Sequence, residues 1–353
     1  MGKSIQGAGG ALVLGAVIES LVERTKYSDL DREQLPEKWL KLAFVELHRV
    51  FESFDGSMLV SLIMSLVDEE TGFVYFINAE HPFPILVRDG QASFLEQTEP
   101  LRKLGMTGMD GFISIQTISL KLGDTLIFGS DGKDDVIVGE HDGIRVINED
   151  EGQILGIASL ANGDPQQMAD LLEERYELMD DLSLLSIHYS PDTDEYRRRW
   201  TISRQLKDDI DRVRAGKIDD NEAIQILVKG MQEFPHNVQV HKLLASLYLK
   251  TKQYGRAIIH MEKYLRYKPE DNEMLLRVFL LMKNRNLLAR AAEYGEIYHL
   301  RYPDDERVMS ALVSVYDKLN NRIREEKFRH RLSVLRQNRS STSTDSNDGI
   351  DGD

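Results

Sequence analysis

Three carboxylates crowd one short loop of this sequence. Asp131, Asp134 and Asp135 follow an apolar run, residues 125–128, whose β-forming side chains predict a buried strand. A glycine at position 132 lets the backbone bend directly after the first carboxylate. Like charges at this spacing repel one another unless solvent, a cation or a metal ion compensates them. The loop is therefore a candidate cation site at the mouth of a strand.

A second acidic pair, Asp180 and Asp181, stands directly before another apolar run, residues 182–187. Neither cluster contains Cys or His, and donor sets made of oxygen alone suit hard cations such as Mg²⁺ or Mn²⁺. The alternative is that these residues are solvated turn formers, because Asp is common where strands begin and end. Spacing alone favours this alternative, so the metal site needs further support.

The elements that would position these acids form an α+β pattern. We expect a glycine-rich loop at 1–11, a buried apolar helix over 12–24 and a second helix that begins at Pro36. The strands predicted after them, separated by hairpin-type turns, cover residues 58–67, 73–79, 85–88, 93–96, 113–120 and 125–128. A later helix after Asp164-Pro165 leads to Asp180. Helices that are grouped, instead of alternating with strands, predict antiparallel sheets with helices stacked on them.

Composition excludes several classes of function. The chain has 353 residues, more than a usual single domain, and its net charge of -15 argues against generic binding to nucleic acid or to anionic membranes. The absence of Cys removes disulfides, thiol catalysis and zinc–thiolate sites. The longest apolar run, residues 8–18, is too short to span a bilayer and lacks the basic flank of a signal peptide. We expect a cytoplasmic protein with no membrane segment and no nucleic-acid partner.

The pattern becomes helical and repetitive beyond Tyr189. Proline recurs at positions 235, 269 and 303, a spacing of 34 residues, which is the period of the tetratricopeptide repeat. In the middle unit, the positions that this repeat fills with interlocking side chains carry Leu244, Ala245, Tyr248, Tyr254, Ala257 and Ile258. The repeat pattern is broken by His241 in place of Trp, Gly295 in place of a large residue and Glu325 in place of a small one.

These patterns divide the chain into four parts. Residues 1–189 form the α+β domain, 190–202 a linker and 203–336 an all-α domain of tetratricopeptide repeats. Residues 337–353 are Ser, Thr, Asp and Gly with almost nothing apolar, and we expect them to be a disordered acidic tail.

Four segments of the first domain resemble motifs of the metal-dependent serine/threonine phosphatases of the protein phosphatase 2C superfamily, in its SpoIIE and RsbU branch. Residues 2–11 resemble the end of GDxxGHGxxAA, and residues 75–82 resemble YxNAGHxP. Residues 122–132 resemble LxxGDxLxxxTDG, and residues 180–183 resemble DDxT. The order and the approximate spacing agree, and with this resemblance the metal site becomes the favoured interpretation.

The resemblance implies an antiparallel β-sandwich flanked by helices. It also implies two Mn²⁺ or Mg²⁺ ions that activate water for hydrolysis of a phosphoserine or phosphothreonine ester. Carried over by motif, Asp131 and Asp180 are metal ligands, and the adjacent Asp181 is kept as a third candidate ligand. Asp135 falls where the family usually has Glu, and it is assigned, with Gly132 and Gly2, to the loops near the site. In the YxNAGHxP-like segment we predict structural roles for Asn78 and His81.

The sequence departs from the family pattern near its first residue. The family's bridging Asp of GDxxG would lie before Met1, Lys3 and Ser4 replace the usual His-Gly, and Glu80 replaces a Gly. We therefore expect weaker metal binding, and we interpret the chain as an N-terminally truncated piece of a longer sensor-phosphatase.

Two functions remain open. In the first, a phosphatase acts on a phosphorylated regulatory protein, which the resemblance implies to be of the anti-sigma-factor-antagonist kind, while the repeats hold the substrate or another protein partner in their groove. In the second, a catalytically dead phosphatase fold is an adaptor that binds partners through the repeats. Metal binding separates the two. Homodimerisation through the first helix is compatible with either function.

Overall fold

The computed structural model describes residues 5–27, 35–95, 101–106, 113–141, 144–190 and 201–344. The chain divides into two compact units, Met1–Thr193 and Asp194–Asp353. Gly2, Lys3 and Ser4, most of the predicted linker and the end of the predicted tail lie outside the described residues. No helix in the described ranges is long and apolar enough to cross a bilayer.

In the described residues of the first unit, two helices come first, eight strands follow, and two further helices precede the last two strands. Its helices are α1 (Ile5–Tyr27), α2 (Pro36–Glu52), α3 (Gln153–Leu160) and α4 (Pro165–Arg175). Its strands are β1 (Leu62–Asp68), β2 (Phe73–Ala79), β3 (Ile85–Arg88), β4 (Gln91–Phe94), β5 (Gln116–Ser119), β6 (Thr125–Gly129), β7 (Val136–His141), β8 (Ile144–Ile147), β9 (Glu177–Leu178) and β10 (Leu184–His188).

Two antiparallel sheets stack face to face in this unit. One has the strand order β1-β2-β5 and the other β10-β6-β3-β4. The apolar core between them is built from side chains of β2, β3 and β6, namely Val74, Phe76, Leu86, Leu126 and Phe128. This stacking confirms the antiparallel sandwich predicted from the sequence.

Helices cover the outer faces of both sheets. Side chains alternate along a strand, so Ile85, Val87 and Ile127 point away from the sandwich core and pack against α3 and α4. On the opposite side, α2 packs against β1 and β2. Its apolar stripe, at helical spacing, is fully buried and comprises Leu40, Ala43, Phe44, Leu47 and Phe51. The predicted flanking helices are therefore confirmed.

A third, smaller sheet with the order β8-β7-β9 was not predicted, and neither was α3. Strand β8 is only four residues long and all four are exposed, so its sequence pattern is too short to distinguish a strand from a loop. This small sheet matters for the site because β7 and β9 each adjoin one of the acidic clusters.

The prediction for the first helix is wrong in two respects. Helix α1 begins at Ile5, so part of the segment predicted as a glycine-rich loop is helical. The helix is also largely exposed, with Leu12 at 76% and Val22 at 37% of their full exposure. Helix α1 packs against α2, and one neighbouring helix can cover only one side of a helix that is apolar nearly all round.

The second unit is helical throughout its described residues. Its helices are α5 (Arg204–Arg214), α6 (Asp220–Glu233), α7 (Val238–Lys250), α8 (Tyr254–Tyr267), α9 (Asn272–Asn284), α10 (Leu288–Arg301), α11 (Glu306–Lys318) and α12 (Arg322–Thr344). A polar side chain caps every second helix at a spacing of 34 residues, the repeat period, at Ser203, Asn237, Asp271 and Asp305. The all-α repeat domain is therefore confirmed, and its first cap is Ser203.

One irregular residue of the repeats, Gly295, has a structural explanation. A Cβ on Gly295 would stand 2.7 Å from the Phe279 ring and 2.8 Å from Leu312, so these two side chains occupy the space of the large residue expected there.

Helix α12 continues to Thr344, so the tail predicted to be disordered from Gln337 is helical in its first part. No Gly or Pro lies between these two residues to end the helix.

Candidate metal centre

The first acidic cluster lies on a tight turn at the end of β6. Ser130 is extended (φ -64°, ψ 169°), and a single 3₁₀ turn, Asp131–Lys133, follows it. The Asp131 carbonyl accepts from the backbone N–H groups of Asp134 at 2.8 Å and of Asp135 at 3.0 Å. This turn folds Asp135 back toward Asp131.

Strand pairing delivers the second acidic cluster to the same place. Strand β9 pairs with β7 in the register Val136↔Leu178. Next along the chain, the Met179 N–H donates to the Asp135 carbonyl at 3.0 Å. Asp180 therefore follows directly on a residue that is hydrogen-bonded to Asp135.

Three carboxylates converge as a result. Oxygens of Asp131, Asp135 and Asp180 all lie within 4.8 Å of one another. Asp135 and Asp180 are half-buried and Asp131 is exposed, so solvent can still reach the group. Carboxylate oxygens at this separation are the donors that Mg²⁺ and Mn²⁺ take, and the donor set fits the metal class implied by the sequence.

The cluster differs in one member from the predicted ligand set. The structure brings Asp131 and Asp180 together, but the third carboxylate is that of Asp135 and not that of Asp181. Asp181 contributes its backbone carbonyl, which accepts from the Ser130 hydroxyl at 3.1 Å. Gly2, assigned to a neighbouring loop, lies outside the described residues. The four-residue spacing of Asp131 and Asp135 within a tight turn is the sequence signal that could have identified Asp135.

Asp134, the remaining acid of the loop, is held apart by an ion pair with Lys133. The Lys133 side chain is almost fully buried, with its ammonium 5.9 Å from the centre of the Phe94 ring. Burial raises the pKa of Asp134 above its usual value, and the hydrogen bond from Lys133 opposes that shift. The crowding of like charge in this loop is thus relieved by a lysine of the same loop.

The Asn78 side chain ties the loop backbone at His81, the kind of contact predicted for it. The Asn78 amide donates to the His81 carbonyl at 2.9 Å and accepts from the His81 N–H at 2.8 Å. Burial lowers the pKa of the His81 ring. Glu80, which replaces a family Gly, has a positive φ of 47°, a conformation that glycine adopts at less cost.

The strand that leads to the site is anchored by a buried ion pair. The Arg88 guanidinium donates from Nε to Asp124 Oδ1 at 3.0 Å, and the Lys121 N–H donates to Asp124 Oδ2 at 2.7 Å. Burial works to raise the pKa of Asp124, but these hydrogen bonds outweigh it and hold the pKa below its usual value. The turn before β6 is therefore tied to the end of β3.

Two antiparallel sheets stacked between helices, with carboxylates gathered at strand ends, define a protein phosphatase 2C-type fold, joined here to tetratricopeptide repeats. A family model described as Stage II sporulation protein E (SpoIIE) matches residues 1–190. A tetratricopeptide-repeat model matches residues 219–276. The chain belongs to the SpoIIE family.

Several solved structures of MamA are similar to part of the chain. A MamA structure labelled AMB-1 is 19% identical with a TM-score of 0.32, and the match covers 52% of this chain and 88% of that chain. One labelled MSR-1 is 17% identical with a TM-score of 0.31, covering 52% of this chain and 93% of that chain. A comparison with curated proteins finds no match.

Proposed function

We propose that this protein is a metal-dependent phosphatase that hydrolyses phosphoserine or phosphothreonine on a regulatory protein. The observation that carries the proposal is the convergence of Asp131, Asp135 and Asp180 at the strand ends of a SpoIIE-family domain. Mn²⁺ or Mg²⁺ bound there, as two ions in the family pattern, would supply Lewis acidity for attack of water on the phosphoester.

The side chains around the site have separate roles in this proposal. Asp131, Asp135 and Asp180 hold the cation, since their oxygens already stand within 4.8 Å of one another. Lys133 neutralises Asp134, so this fourth acid does not add charge to the group. Cys is absent from the chain, so a phosphocysteine intermediate is not part of the reaction.

The repeats are proposed to recruit the phosphoprotein or another protein partner in their groove. The tetratricopeptide match supports a role in protein binding, and the family resemblance suggests an anti-sigma-factor antagonist as the phosphoprotein. The alternative function drawn from the sequence is an adaptor without catalytic activity. The following experiment distinguishes it from the phosphatase.

The test is Mn²⁺-dependent hydrolysis of p-nitrophenyl phosphate by the full chain and by Asp131→Asn. Asp208→Asn is the matched control, because Asp208 is an exposed acid on α5. We expect activity in the wild type and the control, and its loss in Asp131→Asn. A wild type without Mn²⁺-dependent hydrolysis would contradict the proposed enzyme and favour the adaptor.

A further inference from the structure

Ser130 joins the two acid-bearing segments of the metal centre. Its backbone N–H donates to the Ser183 carbonyl at 2.9 Å, which continues the ladder between β6 and β10. Its hydroxyl accepts from the Ser183 N–H at 2.9 Å and donates to the Asp181 carbonyl at 3.1 Å. One residue therefore makes three hydrogen bonds to the segment that directly follows Asp180.

The hydroxyl bonds hold both ends of a short piece of chain. They link the Ser130 hydroxyl to Asp181 and to Ser183. Ser130 directly precedes Asp131, so the same residue fixes the backbone that directly follows Asp180. A side chain without a hydroxyl at this position would leave one backbone donor and one backbone acceptor to solvent. The distance between the Asp131 and Asp180 carboxylates would then depend on fewer contacts.

We propose that Ser130 is a positioning residue of the metal centre, whose hydroxyl holds the Asp180 segment against the Asp131 turn at the separation that a divalent cation requires. The inference rests on the proposed function, because it assigns Ser130 a role at the same site. Ser130 does not ligate the cation and acts through Asp180.

The backbone at Ser130 suggests a conservative variant. Its extended conformation, φ -64° and ψ 169°, is one that threonine adopts readily. Threonine also retains a hydroxyl that can both donate and accept. Ser130→Thr should therefore preserve the two side-chain bonds that Ser130→Ala removes.

The test is a Mn²⁺ titration of the full chain. Electron paramagnetic resonance measures the concentration of free Mn²⁺ at each step. The proteins are the wild type, Ser130→Ala, Ser130→Thr and Ser186→Ala. Ser186 is a matched control because it lies in the middle of β10, where it pairs with Ile127 and not with the acidic loops. Thermal unfolding without metal is measured in parallel.

Loss of two solvent-accessible hydrogen bonds should raise the Mn²⁺ dissociation constant of Ser130→Ala by roughly five- to thirtyfold. Ser130→Thr and Ser186→Ala should stay within about twofold of the wild type in Mn²⁺ affinity. Ser130→Ala should also unfold without metal at a lower temperature than Ser186→Ala, because the two hydroxyl bonds are formed without metal. If Ser130→Ala binds Mn²⁺ as tightly as the wild type, or if Ser130→Ala and Ser130→Thr lose Mn²⁺ affinity equally, the role of Ser130 is refuted. The proposed function would be unaffected by either result. A wild type that binds no Mn²⁺ would overturn the proposed function and this inference with it.

Discussion

Gly132 lies directly against the backbone of Asp181. A Cβ built on Gly132 would stand 2.4 Å from the Asp181 carbonyl oxygen and 3.2 Å from that of Asp180. Backbone atoms form this contact, so no side-chain rotation can relieve it. Glycine at position 132 thus permits the close approach of the two acid-bearing segments.

Gly132→Ala should separate these segments and weaken Mn²⁺ binding without removing a ligand. Overpacking of this kind costs about 1–3 kcal/mol, which corresponds to a loss of affinity of roughly 5- to 150-fold if all of it falls on the site. Gly156→Ala in α3 is the matched control, because a Cβ there meets nothing within 4 Å. If a Mn²⁺ titration gives the same affinity for both variants, the close approach at Gly132 does not contribute to metal binding.

Asp135 and Asp181 should differ sharply as metal ligands. Asp135→Asn removes a charge from the three-carboxylate cluster, and we expect Mn²⁺ affinity to fall by at least about tenfold. Asp181→Asn keeps the backbone carbonyl that Ser130 uses, and its affinity should stay within about threefold of the wild type. Both variants carry the same change in charge, so isothermal titration with Mn²⁺ compares them directly. The reverse order of affinities would restore Asp181 as the third ligand.

The ion pair between Arg88 and Asp124 should stabilise the first unit. Asp124 is 2% exposed, so Arg88→Met would leave a buried carboxylate without its charged partner. We expect a loss of about 2–3 kcal/mol in the free energy of unfolding, measured by urea denaturation.

Arg145→Met is the control for that measurement. The Arg145–Glu177 pair is exposed on both sides, 66% and 60%, and such pairs contribute about 0–1 kcal/mol. If the two substitutions destabilise the protein equally, burial of Asp124 does not govern the strength of its ion pair.

A buried histidine pair should make the stability of the repeats depend on pH. Nδ1 of His241 lies 3.0 Å from Nδ1 of His260, and Nε2 of His241 donates to the Pro235 carbonyl at 2.9 Å. Burial lowers the pKa of His260 to about 4 and also lowers that of His241, and the charge of Lys263 acts in the same direction on both.

Unfolding returns these histidines to a pKa of about 6.5, so the unfolded state binds more protons below that pH. Stability is therefore fully present above about pH 7 and falls as the pH decreases through 6.5 toward 4. His260 alone should account for about 2 kcal/mol at pH 5. Urea unfolding followed by circular dichroism at 222 nm, at pH 7.5 and pH 5, measures the change.

His260→Leu should reduce this pH dependence, whereas His330→Leu, at an exposed position on α12, should not. An undiminished pH dependence in His260→Leu would mean that other groups cause the loss of stability.

Local patterns in the sequence determined much of the fold. The predicted bounds of β2 and β3 coincide with those observed, because alternation of side chains and turn residues are properties of neighbouring positions. The proline spacing likewise revealed the repeats, since each repeat carries its own interlocking residues and its own helix cap. Asp131 and Asp180 could be singled out because each lies in a motif-bearing segment beside an apolar run.

Tertiary structure decided what those local patterns leave open. The exposure of α1 depends on how many neighbours pack around it, which its own apolar residues do not specify. The choice of Asp135 over Asp181 depends on the pairing of β9 with β7 and on the contact of Gly132 with the Asp181 backbone. Both are contacts between segments far apart in the chain. The sequence therefore determined which segments carry the acids, while long-range hydrogen bonding and close backbone approach selected the carboxylates that meet.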